Sequence, residues 1–157
     1  MPLATKRTRQ GAPAAPARYK NDFYGWALEQ GALLRAGRLD AVDVENLAEE
    51  IEALGRNELD RLRSFYRLIL LHMLKWEHQP NLRSRSWAAS IAVHRIHVEQ
   101  VLEDNPSLRS RRGQALAGAY RLARAEAVRE TGLAAATFPE ICPFTLDEVM
   151  TRSYAIE

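Results

Sequence analysis

The chain has 157 residues, 46% hydrophobic and 27% charged, with a formal net charge of +2, which is enough for one domain with its own core and is the makeup of an ordinary globule. Its longest apolar run, Leu68 to Leu71, stops at His72, far short of the roughly 20 residues that a bilayer span needs. No apolar segment follows the basic N-terminus to make a secretory signal, and Cys142 is the only cysteine, so an internal disulfide is excluded and a cytoplasmic protein without membrane attachment is expected.

Residues 1–18 carry Lys6, Arg7, Arg9 and Arg18 among Ala, Pro and Gly. They have almost nothing to bury and read as a flexible basic arm, with the domain over 19–157. Asn21 or Asp22 caps a first helix, marked by Phe23, Trp26, Ala27, Gln30, Leu33 and Leu34 and stopped at Gly37. A second, long helix starts after Asp40 or Asp43 and runs to about Gln79. Its inner stripe is Leu47, Ile51, Leu54, Leu62, Phe65, Ile69, Met73 and Trp76. Acids at its start and Arg61, Arg63, Arg67 and Lys75 further on suit the helix dipole. Gly55 marks a place where it bends or where another helix comes close, and Pro80 ends it.

Ser84 or Ser86 caps a third helix, whose inner stripe is Trp87, Ile91, His94, Val98, Val101 and Leu102 and which Asn105-Pro106 closes. Ser107 caps a fourth through Leu108, Leu116, Ala119, Tyr120, Ala123 and Ala127 to Gly132. The segment FPEICPF reads as extended across the surface, and Thr145 caps a last short helix through about Arg152. No run alternates with period two and no repeat appears. The expected fold is all-α: a single-domain helical bundle with one long central helix, about four main helices and a short C-terminal one.

Short connections make successive helices antiparallel. One end of the bundle then collects His72, Lys75, Trp76, Gln79, Trp87 and Glu130, with Phe138 laid across it. Polar groups inside an aromatic rim are the makeup of a small-ligand pocket, although aromatics at helical spacing also serve simply to pack a core. Between Asp40 and Asp60 lie eight acids against Arg56 alone. Of these, Glu45, Glu49 and Glu52 share a helical face and Glu50 does not. A di-metal carboxylate bundle also needs Glu-x-x-His pairs, and no Glu here has His three residues later. The run therefore reads as a helix start partly paired with arginines such as Arg95 or Arg124. His94 and His97 have the spacing to share a metal, but no third ligand is fixed beside them, so no metal or cofactor is expected. Glu58 interrupts the inner stripe and needs a partner, Arg61 or an arginine of the fourth helix. Ser86, Ser90 and Cys142 lack a base fixed by motif.

The strings FYGWALEQGALLRAG, NLAEEIEALGRNE, HMLKWEHQP, RSRSW, AYRLARAEAVRETGL and FPEICPFTLDEV follow in order over about residues 19–150. Together they resemble the domain-of-unknown-function 29 family of small bacterial proteins. The match falls at Asn46, Glu49, Glu50, Glu52, Gly55, His72, Lys75, Trp76, Gln79, Pro80, Trp87, Arg95, Glu130, Gly132, Pro139, Cys142 and Pro143. The resemblance implies an all-helical fold and transfers no catalytic role. His94 departs from the glutamine common in the family, which argues against a shared His94–His97 metal site.

Three functions follow as expectations. The first is a non-enzymatic cytoplasmic module that binds a protein partner or itself. The second is an enzyme or small-ligand-binding protein acting at the His72/Trp76/Trp87/Glu130 corner, with His72 as acid/base and Glu130 orienting it. The third is a nucleic-acid-associated protein using the basic arm with Arg83, Arg85, Arg109, Arg111 and Arg112, which the acidic block disfavours.

Overall fold

The computed structural model describes residues 15–156, with side chains from Arg18. It contains six α-helices and no strand among them: α1 (Ala15–Asn21), α2 (Phe23–Arg35), α3 (Val44–His78), α4 (Arg85–Asp104), α5 (Arg112–Thr131) and α6 (Leu146–Thr151). The all-α fold with a long central helix is therefore present. Helix α1 begins at Ala15, inside the stretch read as an arm; residues 1–14 of that arm lie outside the described residues. Contacts divide the chain into two compact units, with the boundary inside α3 between Leu54 and Gly55.

In the first unit, Asp22 caps α2 by accepting the Gly25 N–H at 2.9 Å. Gly37, at φ +68, ends α2. The Gly37 and Arg38 N–H groups return to the carbonyls of Leu34 and Leu33, and only glycine takes that backbone turn without strain. The hub is Asp43. Its carboxylate accepts from Trp26 Nε1 at 3.1 Å and Asn46 Nδ2 at 2.7 Å, and its backbone N–H donates to Gln30 Oε1 at 2.7 Å. Those bonds satisfy the buried Gln30 and seat Trp26 over the start of α3. The Asn46 bond, followed by that of Trp26, holds the Asp43 carboxyl below its ordinary range. Tyr19 stands edge-on to Trp26, with ring centres 4.8 Å apart, and donates to Glu50.

The second unit owns the hydrophobic core. Leu62, Tyr66, Ile69, Leu70, Leu71, Met73 and Leu74 of α3 are buried with Ile91, Val98, Val101 and Leu102 of α4 and Ala115, Leu116, Ala119, Tyr120, Ala123 and Ala127 of α5. The alanines let helices approach closely, and each large core side chain contributes about 1.5–3 kcal/mol by leaving water. Ser84 caps α4, Gly132 at φ +70 ends α5, and Thr145 with Glu148 forms a capping box on α6.

Two expectations change here. Helix α5 starts at Arg112 rather than after Ser107, because Pro106–Arg111 winds as a 3-10 helix that opens on the proline. The FPEICPF segment also does more than cross the surface: Phe138 and Phe144 are buried in the core. Tyr120 donates its hydroxyl to the Pro139 carbonyl at 2.6 Å, and Arg124 donates to the carbonyls of Phe138 and Ala135. Arg95 donates to the carbonyls of Val149 and Glu148 at the C-terminal end of α6. Both arginines expected to pair with the acids of α3 are thus committed to carbonyls of the C-terminal segment.

Helix α3 runs unbroken through Gly55, and a methyl group built there meets nothing within 4 Å. Close packing therefore does not explain the glycine. Gly55→Ala is expected to stabilise the chain by about 0.5–1 kcal/mol, raising the calorimetric midpoint by about 1–4 °C. A lowered midpoint would mean that the position needs glycine's freedom.

Candidate functional site

The end of the bundle at Lys75 comes together as expected in one respect. Lys75 Nζ lies 2.9 Å from Glu130 Oε2 and 4.7 Å from the centre of the Trp87 ring. The ion pair and the cation–π contact tie α3, α4 and α5 together. The other expected members face different neighbours. Trp76 is buried against Tyr154, with ring centres 5.3 Å apart, and Arg83 stacks on its face while donating to its carbonyl at 2.9 Å. Gln79 continues the helix bonding, its N–H donating to the Lys75 carbonyl.

His72 is half-buried, and its Nδ1 lies 2.8 Å from the Leu68 carbonyl, which makes Nδ1 the protonated nitrogen. His72 and Glu130 are thus committed to different partners, and no acid–base pair links them. Phe138 lies in the core with its ring edge-on to His78, centres 4.9 Å apart. Glu58 accepts two bonds from Arg61 and one from Asn105, so the expected structural pairing holds with Asn105 in place of an arginine of the fourth helix.

Tyr154 is the residue of this region that periodicity could not reveal, since it follows the last helix. Its hydroxyl is buried with no hydrogen-bond partner among the described residues, and burial pushes its pKa up to about 12. Burial likewise raises the Cys142 thiol, whose sulfur lies 3.4 Å from the Phe144 carbonyl, and this removes thiolate character at neutral pH.

His94 stacks on Phe65 and His97 lies tilted against it, ring centres 6.0 and 4.8 Å away, and the Nδ1 atoms of both are buried with no partner among the described residues. Among the described residues no three His, Cys, Asp or Glu side chains are arranged to hold a metal ion. Burial lowers the His94 pKa, and the nearby His97, His72 and Arg67 lower it further. Arg67 is itself clamped by both oxygens of Glu126 at 2.6 Å.

The largest departure lies in the first unit. Leu47, Ile51 and Leu54 were expected inside, yet Ile51 is 61% and Leu54 67% exposed and Leu47 is only half-buried. Only Trp26 and Gln30 are buried among the unit's described residues. Between α2 and the first three turns of α3 run two adjoining recesses of about 330 and 290 Å³ that share Leu34, Leu47 and Ile51. One reaches Leu39, Val42, Val44 and Ala48, and the other Phe23, Ala27, Gly31 and Leu54. Of the nearby acids, Glu50 lies among the groove walls, where its carboxylate accepts from Tyr19, whereas Glu45, Glu49 and Glu52 do not line it, and Glu49 sits on the side of α3 away from Leu47 and Ile51. The exposed stripe has the spacing of a core stripe, and spacing alone does not tell which it is.

An all-helical chain with a packed core, an aromatic corner and an apolar groove is a class of architecture rather than an activity. The chain belongs to the family described as Domain of unknown function DUF29, whose model matches residues 18–155. No curated protein and no solved structure matches it. Many positions that carried the resemblance have structural work: Asn46 on Asp43, Glu50 on Tyr19, Lys75 with Glu130 and Trp87, Arg95 on α6, and Gly132 ending α5. Among the described residues no helix is long and apolar enough to cross a membrane.

The unfolded chain binds a proton at His94 more readily than the folded chain does, because the folded pKa lies below the ordinary 6.5. This contribution to stability is whole above about pH 6.5 and is lost as pH falls through the lowered folded value. Urea midpoints at about pH 7.5 and about pH 5 are expected to differ in the native chain, and to differ less in His94→Gln. Equal midpoint shifts in the two proteins would remove His94 from the account.

Proposed function

We propose that this chain is a non-enzymatic cytoplasmic protein-interaction module that binds a partner protein through the apolar groove of its first unit. The observation that carries the reading is an imbalance. Among its described residues the unit buries one large apolar side chain, Trp26, and leaves Phe23, Tyr24, Leu28, Leu34, Leu39, Val44, Ile51 and Leu54 between 44% and 75% exposed. Of these, Phe23, Leu34, Leu39, Val44, Ile51 and Leu54 line the two adjoining recesses, and a contiguous apolar surface of this kind marks an interaction site. The corner at His72 supports catalysis less well, because His72 and Glu130 are bound to other groups and Lys75 is neutralised by its ion pair.

A retention experiment tests the reading, with the tagged full chain incubated in lysate of its own source cells. Ile51→Glu and Leu54→Glu replace exposed side chains, so each should change stability by no more than about 0.5 kcal/mol. Each should nonetheless lose the retained partner, while Ile141→Glu, on a side chain 83% exposed in the second unit, and His72→Gln should keep it. Retention that survives both groove variants, that depends on His72, or that never occurs overturns the reading.

A further inference from the structure

We propose that a recess of the second unit binds a small zwitterion, an α-amino acid with an apolar side chain, at a site separate from the groove. The recess holds about 300 Å³, at the small end of the pockets that take small molecules. Its apolar lining is Val98 and Leu102 of α4, both buried, with the half-buried Met150 of α6. Its charged lining is Glu99 and Glu103 of α4, with Arg109 and Arg112 where the 3-10 segment runs into α5.

The four charges form two like-signed pairs. Glu99 and Glu103 stand four residues apart on α4, as neighbours on its surface, and Arg109 and Arg112 stand three apart. Like charges at this spacing repel. Yet among the described residues no ion pair or side-chain hydrogen bond holds any of the four. The contrast within this unit is clear: Arg67 is held by a carboxylate, and Arg95 and Arg124 by carbonyls. In addition, Arg112 Nε is buried with no partner among the described residues. An unsatisfied buried donor on a charged group is costly, and an acceptor carried by a ligand relieves it.

The lining selects the charge of the occupant. A plain anion would suit the arginines but meet two carboxylates, and a plain cation would suit the carboxylates but meet two guanidinium groups. A zwitterion answers both. Its carboxylate takes guanidinium donors, whose planar fork matches two oxygens at once. Its ammonium lies with Glu99 and Glu103, and its side chain rests on Val98, Leu102 and Met150. Polar groups then fix the orientation while apolar contact supplies burial.

Calorimetric titration of the full chain tests this with L-leucine, L-methionine and L-phenylalanine, and with the two halves of leucine. Those halves are 4-methylpentanoate, which lacks the ammonium, and 3-methylbutylamine, which lacks the carboxylate. At least one of the amino acids is expected to bind, and leucine to bind at least about tenfold more tightly than either half. Arg109→Gln and Glu103→Gln change exposed side chains, so the fold should tolerate them, and each should weaken amino-acid binding about tenfold. Arg109→Gln should leave the amine's binding unweakened, and Glu103→Gln that of the carboxylate.

No binding of any of the three amino acids at up to about 10 mM overturns the proposal. So does 4-methylpentanoate binding as tightly as leucine, which would make the recess an anion site, or 3-methylbutylamine doing so, which would make it a cation site. Amino-acid binding that survives both variants lies elsewhere and overturns it too. None of these outcomes touches the groove, whose test is the retained partner.

Discussion

The burial of the second half of α3 organises the larger unit. Tyr66, Ile69, Leu70, Leu71, Met73 and Leu74 spread over slightly more than half of the helix circumference, so no single neighbour can cover them. Helices α4 and α5 take two sides, and the C-terminal segment brings in Phe138, Phe144 and Val149. That segment has little regular structure and would expose carbonyls where it meets the core. Arg95, Arg124 and Tyr120 accept that duty. A charged donor to a carbonyl contributes more than a neutral one, about 1.5–3 kcal/mol, and the guanidinium supplies several donors in one plane. The two arginines look like surface charges in the sequence and act as clasps in the fold.

The same accounting reinterprets the aromatic corner. A reactive site needs groups held near each other with unsatisfied bonding capacity. Here Lys75 is shared between Glu130 and Trp87, His72 holds a backbone carbonyl of its own helix, and Arg83 stacks on Trp76. These contacts lock three helix ends and the C-terminal Tyr154 into one arrangement. Among the described residues the buried polar atoms without a hydrogen-bond partner are Tyr66 Oη, His94 Nδ1, His97 Nδ1, Arg112 Nε and Tyr154 Oη, and of these only Tyr154 belongs to the corner, against Trp76. His94 and His97 lie side by side, ring centres 5.6 Å apart, but among the described residues no third His, Cys, Asp or Glu joins them to hold a metal ion.

Much of this architecture was legible because helix ends are written locally. Asp22, Ser84 and Thr145 act as caps, and Gly37 and Gly132 take the left-handed turn that ends a helix. The convergence of Lys75, Trp87 and Glu130 also followed from helix lengths and short connections. Helix α1 was not legible: its proline and basic residues resemble a tail, and its packing depends on Tyr19 meeting Phe23, Trp26 and Glu50, residues up to 31 positions away. Nor was the fate of the long stripe on α3. Periodicity says that Leu47, Ile51 and Leu54 share a face with Leu62 and Ile69. It cannot say that the second group is buried while Ile51 and Leu54 are exposed.

That break in coverage shapes the functional argument. An apolar stripe left in water on a folded protein costs solubility and invites nonspecific association. Asp43 gives the groove its rigidity: by holding Trp26, Gln30 and Asn46 at once, it fixes α2 against the start of α3 before any occupant arrives. For the proposed docking, a groove held in this way spends little of its binding energy on ordering itself.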